Sequence, residues 1–597
     1  MQPKIKLSML AIVCMAMAGL FSCTKQLTEY NPSTTTSDAL WTTPQGFITA
    51  VNGAYSNVPF LYGNDENQLF LSEPGTDLWY NYNKSKYDID VTQYQNFTSA
   101  STPVKGVWTT LYKAINQCNA GIGRIGKAGF TNMAEQNARE AELRFLRAFF
   151  YWHVVETWGN VILDTTETNS VDLTAERSPV TAFYNLIFSD LQFAVNNLPA
   201  KAGAVSLGNT ATWEYGRATK VAAMGFLARA YLSRAYYSTA GDAAGYFQKA
   251  HDMAMQVINN ASQYDVSLYP NYADVWNPAN RMPNSNAKNN KEAIFIASFS
   301  TNTALNVNSN ADRTHMWFLT NYSGFSGQTI PGLALSLAYG NDQKNRRFMP
   351  TRAALDFYND AIDARYAGSF QEVWLCNSAY TWTAADAAAF GKDASIVGKK
   401  MNVGDTAMWI SKNVIPNQST RPYATFDRNS TYLASGAISN TGGDRYVVLK
   451  KYLDPLTRVG TTSYPGYLDV IIMRLAEMYL IAAEADVQTS NPGEAATHVN
   501  ILRTRAAIKT PVDHTADMQV SAGGMTLDFI LDERARELCG EYMRWFDLKR
   551  TGKLGIRIQT YNPDITAFKA EYNLRPVPLA ELQALTNGVA FGQNPGF

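Results

Sequence analysis

The chain has 597 residues, its 51 Lys and Arg are balanced by 51 Asp and Glu, and 46% of the residues are hydrophobic. With this balance and no basic cluster, the sequence argues against nucleic acid as a partner. The five cysteines lie far apart without a CxxC pair, which excludes a disulfide framework and a zinc knuckle. We expect Cys118, Cys376 and Cys539 to be buried free thiols.

The N-terminus has the pattern of a lipoprotein signal peptide. Lys4 and Lys6 precede an apolar run, and Cys23 follows Ser22. The run has about 14 residues, which is too short for a bilayer core that needs about 20. We therefore predict a signal peptide at 1–22 and a lipid on Cys23. The alternative is an ordinary signal peptide with an incidental cysteine.

The stretch 23–38 is polar, with Pro32 and several Ser and Thr residues. Such a composition is typical of a flexible tether. We predict that it connects the lipid to a single globular domain of residues 39–597. The chain would then be anchored to a membrane without crossing it.

Apolar and small residues at helical spacing predict a mainly α fold. The predicted helices lie near 137–157, 181–197, 218–237, 243–260, 468–487 and 493–507. Ala483 and Ala495 flank the turn Asn491-Pro492-Gly493 at the small-residue spacing of a tetratricopeptide hairpin. The sequence itself predicts about two such helical hairpins, together with long irregular loops and minor β structure.

The long stretches 56–106, 262–345 and 373–465 are rich in polar and aromatic residues. Loops of this length are usually functional or internally packed. Sugar rings present apolar C–H faces and a rim of hydroxyls, so a glycan site needs flat aromatic rings beside polar side chains. The ligand-binding residues predicted on this basis are Asp77, Trp79, Tyr80, Asn81, Tyr82, Trp317 and Tyr322.

The alternative for each of these aromatic residues is a place in the core, where Trp and Tyr side chains are usually well buried. Four other tryptophans lie in segments whose pattern is structural, and we expect them in the core. These are Trp108, Trp152, Trp158 and Trp545.

Between Asp469 and Arg550, charged residues recur inside otherwise apolar helical sequence. They are Arg474, Glu477, Glu484, Arg503, Arg505, Glu533, Arg534, Glu537 and Asp547. Helical spacing would put Arg474 and Glu477 on one face, with Glu484 two turns further along. We expect these charges to pair inside the fold, because an unpaired buried charge costs several kcal/mol, roughly.

A catalytic pair of carboxylates, as in glycoside hydrolysis, is the enzymatic alternative for this set. It is disfavoured because nearby basic residues lower acidic pKa values, whereas a proton donor needs a raised one. The five histidines form no HExxH motif, and Asn306–Asn310 lacks the glutamate that an EF-hand requires, since Trp317 stands there. We expect neither catalysis nor a cofactor, and a calcium site built from separate loops stays open.

Six blocks of sequence, in order, resemble those of the SusD/RagB family of outer-membrane nutrient-binding lipoproteins. The two N-terminal blocks are, first, Trp108, Leu111, Tyr112, Ile115, Asn116, Cys118 and Asn119 and, second, Arg144-Phe145-Leu146-Arg147-Ala148 leading to Trp158-Gly159-Asn160-Val161. The middle block comprises Pro350-Thr351, Leu355, Tyr358, Asp363, Arg365 and Ser369-Phe370. The C-terminal blocks are the charged segment 469–550, Leu574-Arg575-Pro576-Val577-Pro578 and Gln593-Asn594-Pro595-Gly596-Phe597.

The resemblance implies a mainly α, tetratricopeptide-like scaffold of several such helical hairpins. It also implies a surface lipoprotein that binds an oligosaccharide and delivers it, as a hinged lid, to a SusC-like TonB-dependent outer-membrane transporter. Glu29 is the sole acid soon after Cys23, so the usual acidic signal for the outer surface is weak. The alternatives are a non-binding structural subunit of the transporter and a peptide-binding RagB-like protein. The family's ligand residues vary, so none is carried over strictly.

Overall fold

The computed structural model describes residues 40–64, 66–82, 89–170, 172–204, 213–237, 241–283, 289–306, 310–324, 329–342, 346–439 and 444–597. The predicted signal peptide 1–22, the lipidation site Cys23 and the tether 23–38 lie outside these residues. None of the described helices combines the length and the apolar composition that a membrane crossing requires.

Twelve of the described helices are labelled here. They are α1 Pro44–Tyr55, α2 Asn67–Ser72, α3 Thr102–Arg124, α4 Met133–Trp158, α5 Val180–Asn197, α6 Lys220–Ala235, α7 Ala243–Asn259, α8 Leu475–Gln488, α9 Pro492–Ala506, α10 Leu527–Glu537, α11 Arg544–Arg550 and α12 Leu554–Tyr561. Shorter helical turns are Asn57–Pro59, Ile89–Thr92, Tyr272–Val275, Arg352–Asp356, Ala364–Ser369, Ala384–Ala389, Arg428–Thr431, Thr515–Met518, Leu579–Ala584 and Gly588–Phe591.

The strands are short and lie mostly in the segment between α7 and α8. They are β1 Trp79–Asn81, β2 Ala293–Ala297, β3 Phe348–Pro350, β4 Phe370–Gln371, β5 Val373–Leu375, β6 Tyr380–Thr381, β7 Lys400–Met401, β8 Thr406–Ile410, β9 Ala424–Phe426, β10 Val448–Leu449 and β11 Val470–Arg474. The antiparallel pairs are β1–β3, β4–β10, β2–β11, β5–β8 and β6–β7, whereas β8 and β9 run parallel.

The long helices form one stack in which each packs on the helix before it, from α3 through α9. Side-chain caps begin two of them: Asn132 accepts from the first backbone amides of α4, and Thr219 does so for α6. The long segment between α7 and α8 does not interrupt the stack, because α8 packs directly on α7. The predicted scaffold of helical hairpins is confirmed.

The predicted helix at 468–487 begins later than expected. Residues 470–474 form strand β11, which pairs with β2, and α8 starts only at Leu475. All five strand residues are buried. A short, fully buried apolar run fits a strand or a helix equally by its periodicity, which explains the error.

The hydrophobic core is continuous from Phe47 near the start of the described chain to Phe591 near its end. Trp108, Trp152, Trp158 and Trp545 all lie in this core, as expected. The three predicted free thiols at Cys118, Cys376 and Cys539 are also buried and unpaired.

The C-terminal charges are buried and paired, but their partners differ from those the helical spacing suggested. Arg474 ends β11 and binds Glu292 and Glu537 at 2.7 Å and Glu541 at 2.8 Å. Glu477 binds Arg229 of α6 instead, at 2.6 Å. The predicted alignment of Arg474 with Glu477 is wrong because Arg474 lies in a strand.

Glu533 and Glu537 of α10 are the centre of this ion network. Arg365 contacts Glu533 at 2.8 Å and Glu537 at 3.1 Å. Burial alone would raise both carboxyl pKa values, but the surrounding guanidinium groups, Arg365 foremost for Glu533 and Arg505 for Glu537, lower them well below their ordinary range. Such carboxylates are unsuited to donating a proton in catalysis.

Candidate functional site

The structure places Trp79 in the interior of the protein. Its side chain is 0% exposed, its indole Nε1 donates to Glu73 Oε2 at 2.9 Å, and its ring meets the Phe318 ring edge-on at 4.8 Å between centroids. A ring covered on all sides cannot stack on a sugar. The structure therefore places Trp79 in the core, and its contact with a ligand stays a prediction.

The other residues of strand β1 and its approach have structural partners too. Both carboxylate oxygens of Asp77 accept from Arg544, at 2.8 and 2.6 Å. Asn81 Nδ2 donates to Thr92 Oγ1 at 2.9 Å, and the hydroxyl of Tyr80 donates to the Gly436 carbonyl. All three side chains are buried, and so is every residue of β1. The structure thus shows structural contacts for them, and their ligand role stays a prediction.

Tyr322 is buried as well. Its hydroxyl donates to the Gly340 carbonyl and accepts from the Ser336 amide at 3.0 Å. These bonds satisfy the polar end of the side chain and leave 1% of the residue exposed. Tyr322 thus holds the loop at 336–340 in place, and its contact with a ligand stays a prediction.

Two of the predicted residues, Tyr82 and Trp317, come together at the backbone of Arg347. The Tyr82 amide donates to the Arg347 carbonyl at 2.7 Å, and the Arg347 amide donates to the Trp317 carbonyl at 2.9 Å. The pairing of β1 with β3 brings these distant segments side by side. Tyr82 is half-buried, so it can reach solvent at this place.

Trp317 is part of the wall of a cleft of about 450 Å³, which we call the Trp317 cleft. Its described lining consists of Asn64, Glu66, Arg313, Met316, Trp317, Arg347, Tyr464 and Pro465. Aromatic rings beside amide, carboxylate and guanidinium groups are the combination that a sugar-binding site needs. Within this described lining, Glu66 alone carries a carboxylate, whereas glycoside hydrolysis normally uses two.

Arg347 covers one side of the cleft's aromatic wall. Its guanidinium lies 5.4 Å from the Trp317 ring centroid and 5.5 Å from that of Phe70. Its Nη2 is 4.0 Å from Glu66 Oε2. Burial lowers the pKa of Arg347, and Glu66 partly offsets that effect. The cation and the indole therefore form one stacked unit at the cleft wall.

Arg313 is half-buried, and its side chain lacks the protein partners that the buried arginines of the described structure have. Its backbone amide is fixed by the Gly63 carbonyl at 2.8 Å, but its guanidinium makes no hydrogen bond or ion pair with any described residue. The Nε of Arg313 is buried without an acceptor among those residues. A buried donor left without an acceptor costs about 1–3 kcal/mol, so this group is suited to a ligand oxygen.

A larger cavity of about 510 Å³ has Asn310 in its lining. Tyr55, Tyr215, Phe299, Asn310 and Arg217 are in its lining. Arg217 is occupied, because it binds Glu142 at 2.9 Å and Asn52 at 2.7 Å. The Trp317 cleft is the better candidate because its arginine donors at Arg313 are unused by the described protein.

Sequence reasoning missed Arg313, Arg347 and Tyr464. Each is an ordinary residue of a long polar stretch, and nothing in its neighbouring sequence differs from that of other loop residues. Their shared place depends on strand pairing between segments far apart in the chain. The one available signal was for Arg313, which lies four residues before Trp317 in the sequence.

Comparison with known proteins identifies the family. The profile of the SusD family matches residues 291–597, and that of a second family, described as starch-binding and associating with the outer membrane, matches residues 47–232. The first match alone covers just over half of the chain.

Individual relatives extend over most of the sequence. SusD-like protein P2 of Formosa agariphila is 26% identical over 525 residues, which cover 85% of this chain and 83% of that protein. The starch-binding protein SusD of Bacteroides thetaiotaomicron is 24% identical over 522 residues, with 84% and 80% covered.

Among solved structures, a laminarin-binding SusD-like protein superimposes with a TM-score of 0.64 at 19% sequence identity. The superposition covers 93% of this chain and 100% of the other, and at this identity it supports the fold. The fold agrees with the family profile, and the chain belongs to the SusD family.

Proposed function

We propose that this protein binds an oligosaccharide in the Trp317 cleft. The observation that carries the proposal is Arg313, whose guanidinium is unpaired among the described residues beside an aromatic wall. Sugar hydroxyls would accept from Arg313, while C–H faces pack on the half-buried Tyr464 and on the small part of Trp317 that lines the cleft, since Trp317 is 6% exposed. Two relatives support this ligand class, since one is a starch-binding protein and another structure is of a laminarin-binding protein.

Delivery to a transporter is the second part of the proposal. We place the protein on the outer membrane, held by a lipid on Cys23 and facing outside, where it works as a hinged lid on a SusC-like TonB-dependent transporter. The second family description, of association with the outer membrane, supports the location. The transporter supplies the energy, so the protein needs to bind and release without catalysing a reaction.

The test is a screen of the purified protein against plant, host and microbial glycans, with peptides in parallel. Binding to one glycan class supports the proposal. Binding to peptides alone would contradict it in favour of a RagB-like peptide carrier. Absence of binding to every glycan and peptide would contradict a binding role and favour a structural subunit of the transporter.

Amino-acid substitutions test whether the ligand binds in the Trp317 cleft. Arg313→Ala should weaken binding of the glycan found in the screen at least tenfold, because it removes the donors without breaking an internal ion pair. Lys113→Ala is the matched control, since Lys113 is a cation at the wall of a third cavity of about 320 Å³. Equal affinity of the wild-type protein and the Arg313→Ala variant in titration calorimetry would place the ligand elsewhere.

A further inference from the structure

Three helices of the scaffold bring two histidines and an aspartate to one point, far in sequence from the Trp317 cleft residues. His251 lies on α7, Asp486 near the end of α8 and His498 on α9. One ligand-type atom from each residue lies within 4.8 Å of those of the other two. This placement follows from the packing of α7 on α8 and of α8 on α9.

The distances among these atoms fit the edges of a metal site better than hydrogen bonds. Asp486 Oδ1 is 3.6 Å from His251 Nε2, and Asp486 Oδ2 is 3.4 Å from His498 Nε2. An N–H···O bond would be 2.7–3.2 Å, typically. Ligands of a tetrahedral Zn²⁺ with bonds of about 2.0–2.1 Å stand about 3.3 Å apart.

The two atoms at the buried side of the group lack any hydrogen bond to a described residue. They are Asp486 Oδ2 and His498 Nε2. Both side chains are almost entirely buried, with exposures of 5% and 6%. Buried polar atoms normally have hydrogen-bond partners. An aspartate oxygen and an imidazole nitrogen that face each other without a hydrogen bond therefore indicate that an ion binds between them.

His251 supplies the accessible side of the group. Its side chain is 24% exposed, which provides a route from solvent and room for a water ligand. Its Nδ1 faces Asp252 Oδ1 at 3.2 Å, which leaves Nε2 directed toward Asp486. A carboxylate on the far nitrogen is the usual means of orienting a metal-binding histidine.

We propose that His251, Asp486 and His498 bind a divalent cation of the Zn²⁺ class. Two imidazoles and one carboxylate are ligands that Zn²⁺ and its first-row neighbours prefer, whereas Ca²⁺ and Mg²⁺ require oxygen ligands. Glu494, one turn before His498 on α9, adds negative charge that acts on both Asp486 and His498. Residues 260–474, which separate α7 from α8 in the chain, are called the inserted segment. The bound cation would hold α7, which precedes this segment, against α8 and α9, which follow it.

The test uses the purified full chain without a polyhistidine tag, stripped with a chelator and titrated with ZnCl₂ by calorimetry. We expect one equivalent of Zn²⁺, and no comparable binding of CaCl₂ or MgCl₂. His251→Gln and Asp486→Asn should each weaken Zn²⁺ binding at least 100-fold. His251→Gln is the more secure variant for folding, because that side chain is partly exposed.

His514→Gln is the matched control, since His514 is a partly exposed histidine 2.7 Å from Asp517 and outside the group. It should retain full affinity. Thermal unfolding is the second measurement: Zn²⁺ should raise the Tm of the wild-type protein and of His514→Gln, and leave that of His251→Gln unchanged. Absence of Zn²⁺ binding to the wild-type protein, or equal binding to the folded His251→Gln and Asp486→Asn variants, would overturn the proposal.

Discussion

At the residue scale, structural residues and candidates for ligand binding differ in whether their buried polar atoms have partners within the protein. Asp77 and Arg544 satisfy each other with two short hydrogen bonds. Arg313 has a comparably enclosed Nε but no acceptor among the described residues. Because a paired charge is already stabilised by the protein and an unpaired donor is not, ligand recognition is expected at Arg313 and not at Asp77.

Trp79→Ala should act on stability and not specifically on ligand binding. The substitution removes a fully buried ring and the hydrogen bond to Glu73. The expected loss is about 3–5 kcal/mol in the free energy of unfolding, as measured by urea denaturation. A variant that unfolds at the wild-type urea concentration but no longer binds glycan would show that Trp79 contacts the ligand after all.

The local sequence around Trp79 could not distinguish these roles. Asp77 to Tyr82 has the polar and aromatic mixture of a sugar site, yet β1 is buried on both faces by elements distant in the chain. The partner of Asp77 is Arg544, near the opposite end of the sequence. Burial of this kind depends on the whole fold, and no spacing within the segment encodes it.

At the element scale, the ion network connects β11, α9 and α10. Glu537 accepts from Arg474 of β11 and from Arg505 of α9, and it also contacts Arg365. These contacts tie the segment between α7 and α8, through Arg365 and β11, to α9 and α10. The sequence predicted that the charges pair, and it erred on the partners because it treated β11 as part of a helix.

Glu537→Gln should destabilise the protein by about 3–5 kcal/mol, because it removes one charge from a buried network and leaves arginines uncompensated. Urea denaturation at neutral pH measures this change. Glu494→Gln on the exposed face of α9 is the control and should alter stability by less than about 0.5 kcal/mol. A loss of comparable size in both variants would contradict a special role for the network.

The same carboxylates predict a dependence of stability on pH. The pKa values of Glu533 and Glu537 are lower in the folded chain than the ordinary 4.5, so the folded state binds fewer protons than the unfolded state at acidic pH. Their contribution is fully present above that value and is lost as the pH falls toward the folded pKa values. Urea denaturation between pH 7 and pH 3 should show stability falling at the acidic end, and less steeply in Glu537→Gln. An equal slope in both proteins would contradict this assignment.

At the scale of the whole molecule, the helical stack could be predicted from the sequence, whereas the cleft formed with the inserted segment could not. The stack from α3 to α9 was predictable, because its small and apolar residues repeat at helical spacing. The Trp317 cleft was not, because its walls come from residues near 64, near 313–317, at 347 and at 464. Its position depends on how the inserted segment folds back on the N-terminal region.

A crystal structure of the protein with the oligosaccharide identified by the glycan screen would show whether the Trp317 cleft holds the ligand. We expect a sugar residue in this cleft, with a hydroxyl oxygen accepting from the Arg313 guanidinium and a ring face against Tyr464 or the exposed part of Trp317. An oligosaccharide bound elsewhere, for example in the cavity between Tyr55 and Arg217, would contradict this expectation.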